Sequence, residues 1–194
     1  MRPMHEGADR DTGSAPSSRM EPRSVVERVR ALLVRHRSRL RRGCALAAVE
    51  LPLAVAAAAL VVDGWEAKRF LLFYMAPFFP AFFLWARHWL AGIETQRPTA
   101  LVVDAVAVVL AAARMAGTWL PVSGHMLFYA YAGVTTRSRT LGVLIGVLTV
   151  IAAWFKLVLW GDGRSFWLGF AAGLALAAVR LLAGRTSADP SSAT

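Results

Sequence analysis

The chain has 194 residues, 57% of them hydrophobic, a mean hydropathy of +0.49 and a formal net charge of +10. A soluble domain of this size has to cover its surface with more polar material than this, so a water-soluble enzyme or binding module is excluded. One integral membrane domain is expected instead, all-α and polytopic, with about six transmembrane helices.

The 22 basic residues include only two lysines, Lys68 and Lys156, and eleven of the arginines lie in the first 42 positions. That charge abuts a hydrophobic run, which points to membrane lipids with anionic headgroups rather than nucleic acid as its partner. Cys44 is the only cysteine, so an intramolecular disulfide and a thiolate metal cluster are excluded. It reads as a lipidated thiol or, preferably, as an inert small residue.

Residues 1–23 are rich in Ser, Pro, Gly and charge without periodicity, and are expected to be a disordered tail. Residues 24–42 read as a basic amphipathic juxtamembrane helix. Ser24-Val25-Val26-Glu27 has the form of a capping box. Val25, Val29, Leu32, Leu33, Val34 and Leu40 share much of one face, and Arg28, Arg30, Arg35, Arg37, Arg39, Arg41 and Arg42 crowd the rest. Such a helix lies on an anionic leaflet, or serves only to fix topology.

The transmembrane domain is expected over 43–183. The first span, Gly43 to Val62, is too far from the start for a cleaved signal peptide. It carries Glu50, a costly carboxylate that should face the bundle interior or be protonated. The second span, Phe70 to Leu84, is aromatic and should kink at Pro77 and Pro80, with Trp85, Arg87, His88 and Trp89 as an interfacial belt. The third, Thr99 to Ala116, contains Asp104 and ends near Arg114. Glu50 and Asp104 also suggest a weak case for a proton or cation path.

A short turn at Gly117-Thr118 leads to the fourth span, Trp119 to Val134, which is marginal in length and begins with Pro121 and Gly124. The fifth runs from Thr140 to Trp160 and the sixth from Phe166 to Ala183, before a polar tail over 184–194. Gly142 with Gly146, and Gly169 with Gly173, are small-xxx-small pairs that allow close helix approach and leave a homo-oligomer open. The arginine-rich N-terminal segment places both termini in the cytoplasm. The Arg- and Ala-rich composition suggests a bacterial plasma (inner) membrane.

This topology gathers Arg114, Ser123, His125, Lys156, Asp162 and Arg164 at one level on the outer face. Arg114, Lys156 and Arg164 are suited to clamp a phosphate, and Gly124 at a helix start adds backbone amides. His125 is suited to proton transfer. The competing reading makes the same residues topological anchors, with Lys156 and Arg114 snorkelling and Asp162 paired to Lys156. No metal signature and no nucleotide loop or cofactor motif appears.

Pro121-Val122-Ser123-Gly124-His125 resembles the Pro-Ser-Gly-His signature of the type 2 phosphatidic acid phosphatase superfamily, with Val122 inserted. The resemblance extends over about 114–173. It implies six helices, with the second motif at the outer start of helix four and a third around Lys156 to Gly173. It also implies a phosphomonoester hydrolase fold acting on lipid phosphates, in which His125 is the general acid, Ser123 and Gly124 belong to the second motif, and Arg114 and Lys156 stand near the family's arginines. The family's Lys-x6-Arg-Pro motif is absent. Its nucleophilic histidine would fall at Gly161 or Asp162, and His5, His36 and His88 are all placed inside. Asp162 is a remote substitute nucleophile. The expectation is therefore binding of a phospholipid or polyprenyl phosphate with little or no hydrolysis. The alternative is a structural or accessory membrane protein.

Overall fold

The computed structural model describes residues 25–116 and 121–185, so the expected tails, the capping serine Ser24 and the Gly117-Thr118 turn lie outside the described residues. Among the described residues the regular elements are all helical, with no strand. The elements are α1 (Val25–Arg35), α2 (Arg37–Val61), α3 (Trp65–Arg69), a π-helical turn (Phe70–Met75), α4 (Ala76–Ala91) and a 3-10 turn (Ile93–Thr95). They continue with α5 (Pro98–Ala116), α6 (Gly124–Thr135), α7 (Arg139–Trp154), a second π-helical turn (Phe155–Leu159) and α8 (Gly163–Arg185).

Four helical stretches are long and apolar enough to cross a membrane: Arg37–Val61, Trp65–Ala91, Arg139–Leu159 and Gly163–Ala183. That count covers the described residues and does not confirm the sequence expectation of six. Of the two remaining expected spans, α5 has 19 residues and α6 only 12. At the helical rise α6 is about 18 Å long, well short of a hydrocarbon core.

Several boundaries shift for local reasons. The basic segment and the first span are not separate helices, because α2 already begins at Arg37 and is joined to α1 through His36, whose carbonyl accepts the Leu40 amide at 3.0 Å. The second span extends in both directions, to Trp65 and Ala91. Its prolines are absorbed by a wide turn: the Ala76 amide bonds to Leu71 five residues back, just before Pro77 starts the next stretch without a donor. Pro98 opens α5 at the position where a missing N–H costs nothing.

The short α6 is the hub. Every residue from Gly124 to Ala132 is buried, enclosed by α5, α7 and α8 and by the aromatic face of α4. Phe78, Phe82 and Trp85 of α4 pack on Phe128, and Trp85 also meets Tyr131. Lipid tails are as apolar as these side chains, so close packing and polar contacts hold the helices together more than burial does. The tightest approach is between α6 and α8. A Cβ on Gly169 would lie 2.5 Å from the Ser123 carbonyl oxygen, and one on Gly173 would lie 2.8 Å from Ala130 Cβ and against the Leu127 carbonyl. Gly142 and Gly146 do not play this part. A Cβ on Gly146 would meet nothing within 4 Å, and the contact at Gly142 is an ordinary 3.6 Å with Thr136.

A second polar contact crosses the apolar core. Asp104 of α5 is 1% exposed. Its carboxylate accepts from Trp89 Nε1 of α4 at 2.6 Å, from Arg180 Nε of α8 at 2.6 Å and from the hydroxyl of Tyr131 on α6. Asp104 is thus a structural centre with three side-chain partners. Glu50 departs from expectation in the other direction: it lies exposed on α2, away from Ala48 and Ala59, which face the bundle.

Gly173→Val should lower stability by about 3 kcal/mol, because backbone is the obstacle and cannot rotate away. Gly146→Val should stay within about 0.5 kcal/mol of wild type. Denaturation in mixed micelles measures both, and equal effects would contradict the packing described.

Candidate functional site

Two places combine polar groups with apolar surroundings, at opposite ends of the bundle. The first is built on the stretch that enters α6. Pro121-Val122-Ser123 runs without helical structure, and Ser123 caps α6 by accepting the Met126 amide at 3.5 Å. The Ser123 amide donates to the Ser165 carbonyl of α8 at 2.9 Å, so cap and neighbouring helix are locked together. The Tyr74 hydroxyl lies 3.1 Å from Ser123 Oγ. Irregular backbone can exist at membrane depth because protein surrounds it.

His125 is 5% exposed and sits between rings. Its imidazole is 4.1 Å from the Tyr74 ring and 4.5 Å from that of Phe78, centroid to centroid. Its Nε2 is buried without a hydrogen-bond partner, which in a native structure calls for an explanation.

Lys156 and Asp162 approach the same end from α7 and α8. Lys156 Nζ contacts Asp162 Oδ2 at 2.6 Å and Ser165 Oγ at 3.3 Å, and its ammonium lies 5.4 Å from the centre of the Trp160 ring. Asp162 occupies the cap position of α8. Its Oδ1 accepts the Ser165 amide at 3.3 Å, and its Oδ2 also takes the Ser165 hydroxyl. Burial pushes the Asp162 carboxyl up, but the hydrogen bonds from Lys156 and Ser165 outweigh it and hold it below the usual carboxylate range.

The expected outer-face residues are therefore partly united. Ser123, His125, Lys156 and Asp162 do converge, joined by Tyr74 and Ser165, which the sequence reading omitted. Arg114 is drawn in differently: its Nε donates to the Val122 carbonyl at 2.7 Å, bracing the α6 entry. Gly124 packs against α5, where a Cβ would be 2.5 Å from the Ala111 carbonyl oxygen. Arg164 is exposed on the first turn of α8. The ground an anion would occupy is largely filled, since α8 backbone sits against the Ser123 cap and both Asp162 oxygens and the Lys156 ammonium are engaged. Tyr74 and Lys156 both stand on π-helical turns, a feature frequent at functional sites. Ser165 had a readable signal, because Asp162-x-x-Ser165 ahead of an apolar run is a helix-start pattern. Tyr74 had none.

The second place lies at the end where α4, α5 and α8 approach the loop before α7. A cavity of about 530 Å³ is lined there by Arg97, Arg137, Arg180 and His88, with Gln96, Thr95, Thr135 and Thr136 between them and no Asp or Glu among its lining residues. Trp85 and Trp89 form one wall. The same two indoles also border an apolar groove of about 400 Å³ beneath α1, lined by Val25, Val29, Leu33, Phe82 and Leu101. Arg97 Nη1 reaches the Ala183 carbonyl at 3.5 Å, and Arg180 is held by Asp104. The sequence assigned Arg87, His88 and Trp89 to an interfacial belt. It did not foresee that residues distant in the chain would make His88 and Trp89 the edge of a basic cavity.

The Lys156–Asp162 contact carries a pH dependence. The folded carboxyl titrates below its unfolded value of about 3.9, so its stabilising contribution is complete above that value and is lost as pH falls through the lowered one. Micellar denaturation should show this acid limb in the wild type and a flatter one in Asp162→Asn. Superimposable profiles would exclude the pairing as a source of stability.

No family model, no curated protein and no solved structure matches this chain.

Proposed function

We propose that the protein is a non-enzymatic membrane component that binds an anionic lipid phosphate in the arginine-lined cavity. The observation that carries this reading is the meeting of Arg97, Arg137 and Arg180 on a space without carboxylates, next to an apolar groove that shares its Trp85 and Trp89 wall. Guanidinium groups suit phosphate oxygens because their planar donors match them two at a time. An apolar groove of about 400 Å³ beside them suits an acyl or polyprenyl chain. In this reading α5 also crosses, and α6, enclosed by neighbouring helices but too short to span alone, completes a sixth crossing with its non-helical entry over 121–123. The cavity end, which carries α1 and its arginines, faces the cytoplasm of a bacterial cell by the charge rule.

The reading of binding with little or no hydrolysis is supported by the described histidines: His36 lies between α1 and α2 and His88 in the last turn of α4, at the cavity end and away from His125, while His5 lies outside the described residues.

The second reading keeps the ligand at the Ser123–His125 end, as the phosphatase resemblance implies. The unpartnered Nε2 of His125 favours it. The two readings differ in which residues matter. Binding of a short-chain phosphatidic acid to the protein in nanodiscs, followed by native mass spectrometry, separates them. Arg97→Ala with Arg137→Ala should weaken binding at least tenfold, since a charge-assisted hydrogen bond contributes about 1.5–3 kcal/mol and 1.4 kcal/mol is tenfold. His125→Ala and Lys156→Ala should leave it unchanged. The reverse pattern would move the site to the Ser123 end. No loss in either pair would favour the structural or accessory role, with the polar residues as anchors.

A further inference from the structure

On α2 a seven-residue repeat faces away from the bundle. Gly43, Glu50 and Ala57 recur at one position of the heptad and Leu46, Leu53 and Leu60 at another, and all six are exposed. The leucines are among the most open large apolar side chains of the chain, at 60%, 65% and 81% exposed. The opposite face of α2, marked by the buried Ala48 and Ala59, is the one used against α4. In the middle of the outward face stands Glu50, about 10 Å along the helix from Gly43. A carboxyl facing hydrocarbon is costly and normally has a protein partner.

We infer that α2 is the interface of a parallel homodimer, in which a second copy of this chain packs its Leu46-Glu50-Leu53 face against the same face of the first. The pattern itself argues for self-pairing. Copies inserted in one orientation relate by a two-fold axis along the membrane normal, and that axis sets each residue opposite its own equivalent. A heptad with leucine at three successive positions of one type is the seam of a left-handed pair of helices, and a polar residue at one central position of the other type fixes register. Gly43 and Ala57 on either side of Glu50 are small enough for the backbones to come close. The two Glu50 carboxyls then meet at the seam and satisfy one another through an O–H···O hydrogen bond, which neither lipid nor water provides at that depth. Gly146 on α7 is also open, but its face lacks both the leucine repeat and a polar group in need of a partner.

The test uses the full chain in lipid vesicles. Single-molecule photobleaching of an N-terminally labelled protein should show two-step traces at dilutions where Glu50→Leu shows single steps, a loss of association of at least tenfold. Glu50→Gln, whose amide both donates and accepts, should remain dimeric. Independently, Leu53→Cys in a Cys44→Ala background, with Glu50 intact, should cross-link to a dimer on mild oxidation. Val150→Cys, on the exposed face of α7, should not. Single-step wild-type traces at all dilutions, a Glu50→Leu protein as dimeric as wild type, or cross-linking through Val150 and not Leu53 would each overturn the interface.

Discussion

The bundle depends on one carboxylate. Asp104 collects a tryptophan from α4, a tyrosine from α6 and an arginine from α8, while its own backbone belongs to α5. Between helices in lipid the apolar faces have little preference for one another over the surrounding tails, so direction must come from groups that lipid cannot satisfy. A buried ion pair is poor evidence of added stability, but removal of either partner leaves an uncompensated charge. Asp104 therefore selects among packings: arrangements that fail to bring Arg180, Trp89 and Tyr131 to it are penalised.

That centre also divides the molecule chemically. Towards the Ser123 end, polar groups answer one another: Lys156 meets Asp162, Asp162 caps α8, Ser165 holds Ser123 and Tyr74 lies over the cap. Towards the other end, arginines outnumber acids and border open space. Arg180 belongs to both regions, being held by Asp104 and lining the cavity. The apolar groove under α1 is bounded by a helix that buries none of its own residues completely. That helix is fastened by Arg30 on the Glu94 carbonyl, and the Arg37–Glu94 pair at 2.9 Å holds the start of α2 beside it. Contacts of this exposed kind are weak and screened by salt, so the groove has one firm wall and one yielding wall.

Much of the fold was legible. Apolar runs marked α2, α4, α5, α7 and α8 within a few residues, because hydrophobicity over a long window is a local property. The convergence of Ser123, His125, Lys156 and Asp162 was readable from alternating helix direction alone. What could not be read was which groups are already satisfied. His125 and Lys156 look equally available in the sequence, yet one has an orphan nitrogen and the other a full set of partners. Glu50 was expected to face the interior or be protonated, and the first of these is not what the structure shows; Arg180 was passed over inside an apolar run. Their fates follow from helix rotation, which a span with a weak amphipathic signal leaves undetermined. Gly169 and Gly142 start equivalent pairs in the sequence, and only the neighbour of the first makes it indispensable.

The burial of α6 has a consequence for how the chain is built. At 12 residues it is too short to hold its place in a bilayer unaided, and its entry is unwound at Pro121 to Ser123. The element that closes over that entry is α8, through Ser165, Gly169 and Gly173, and α8 is made after α6. The cover of α6 is thus supplied by the part of the chain that follows it, and truncation before α8 removes the shelter of a segment some forty residues upstream.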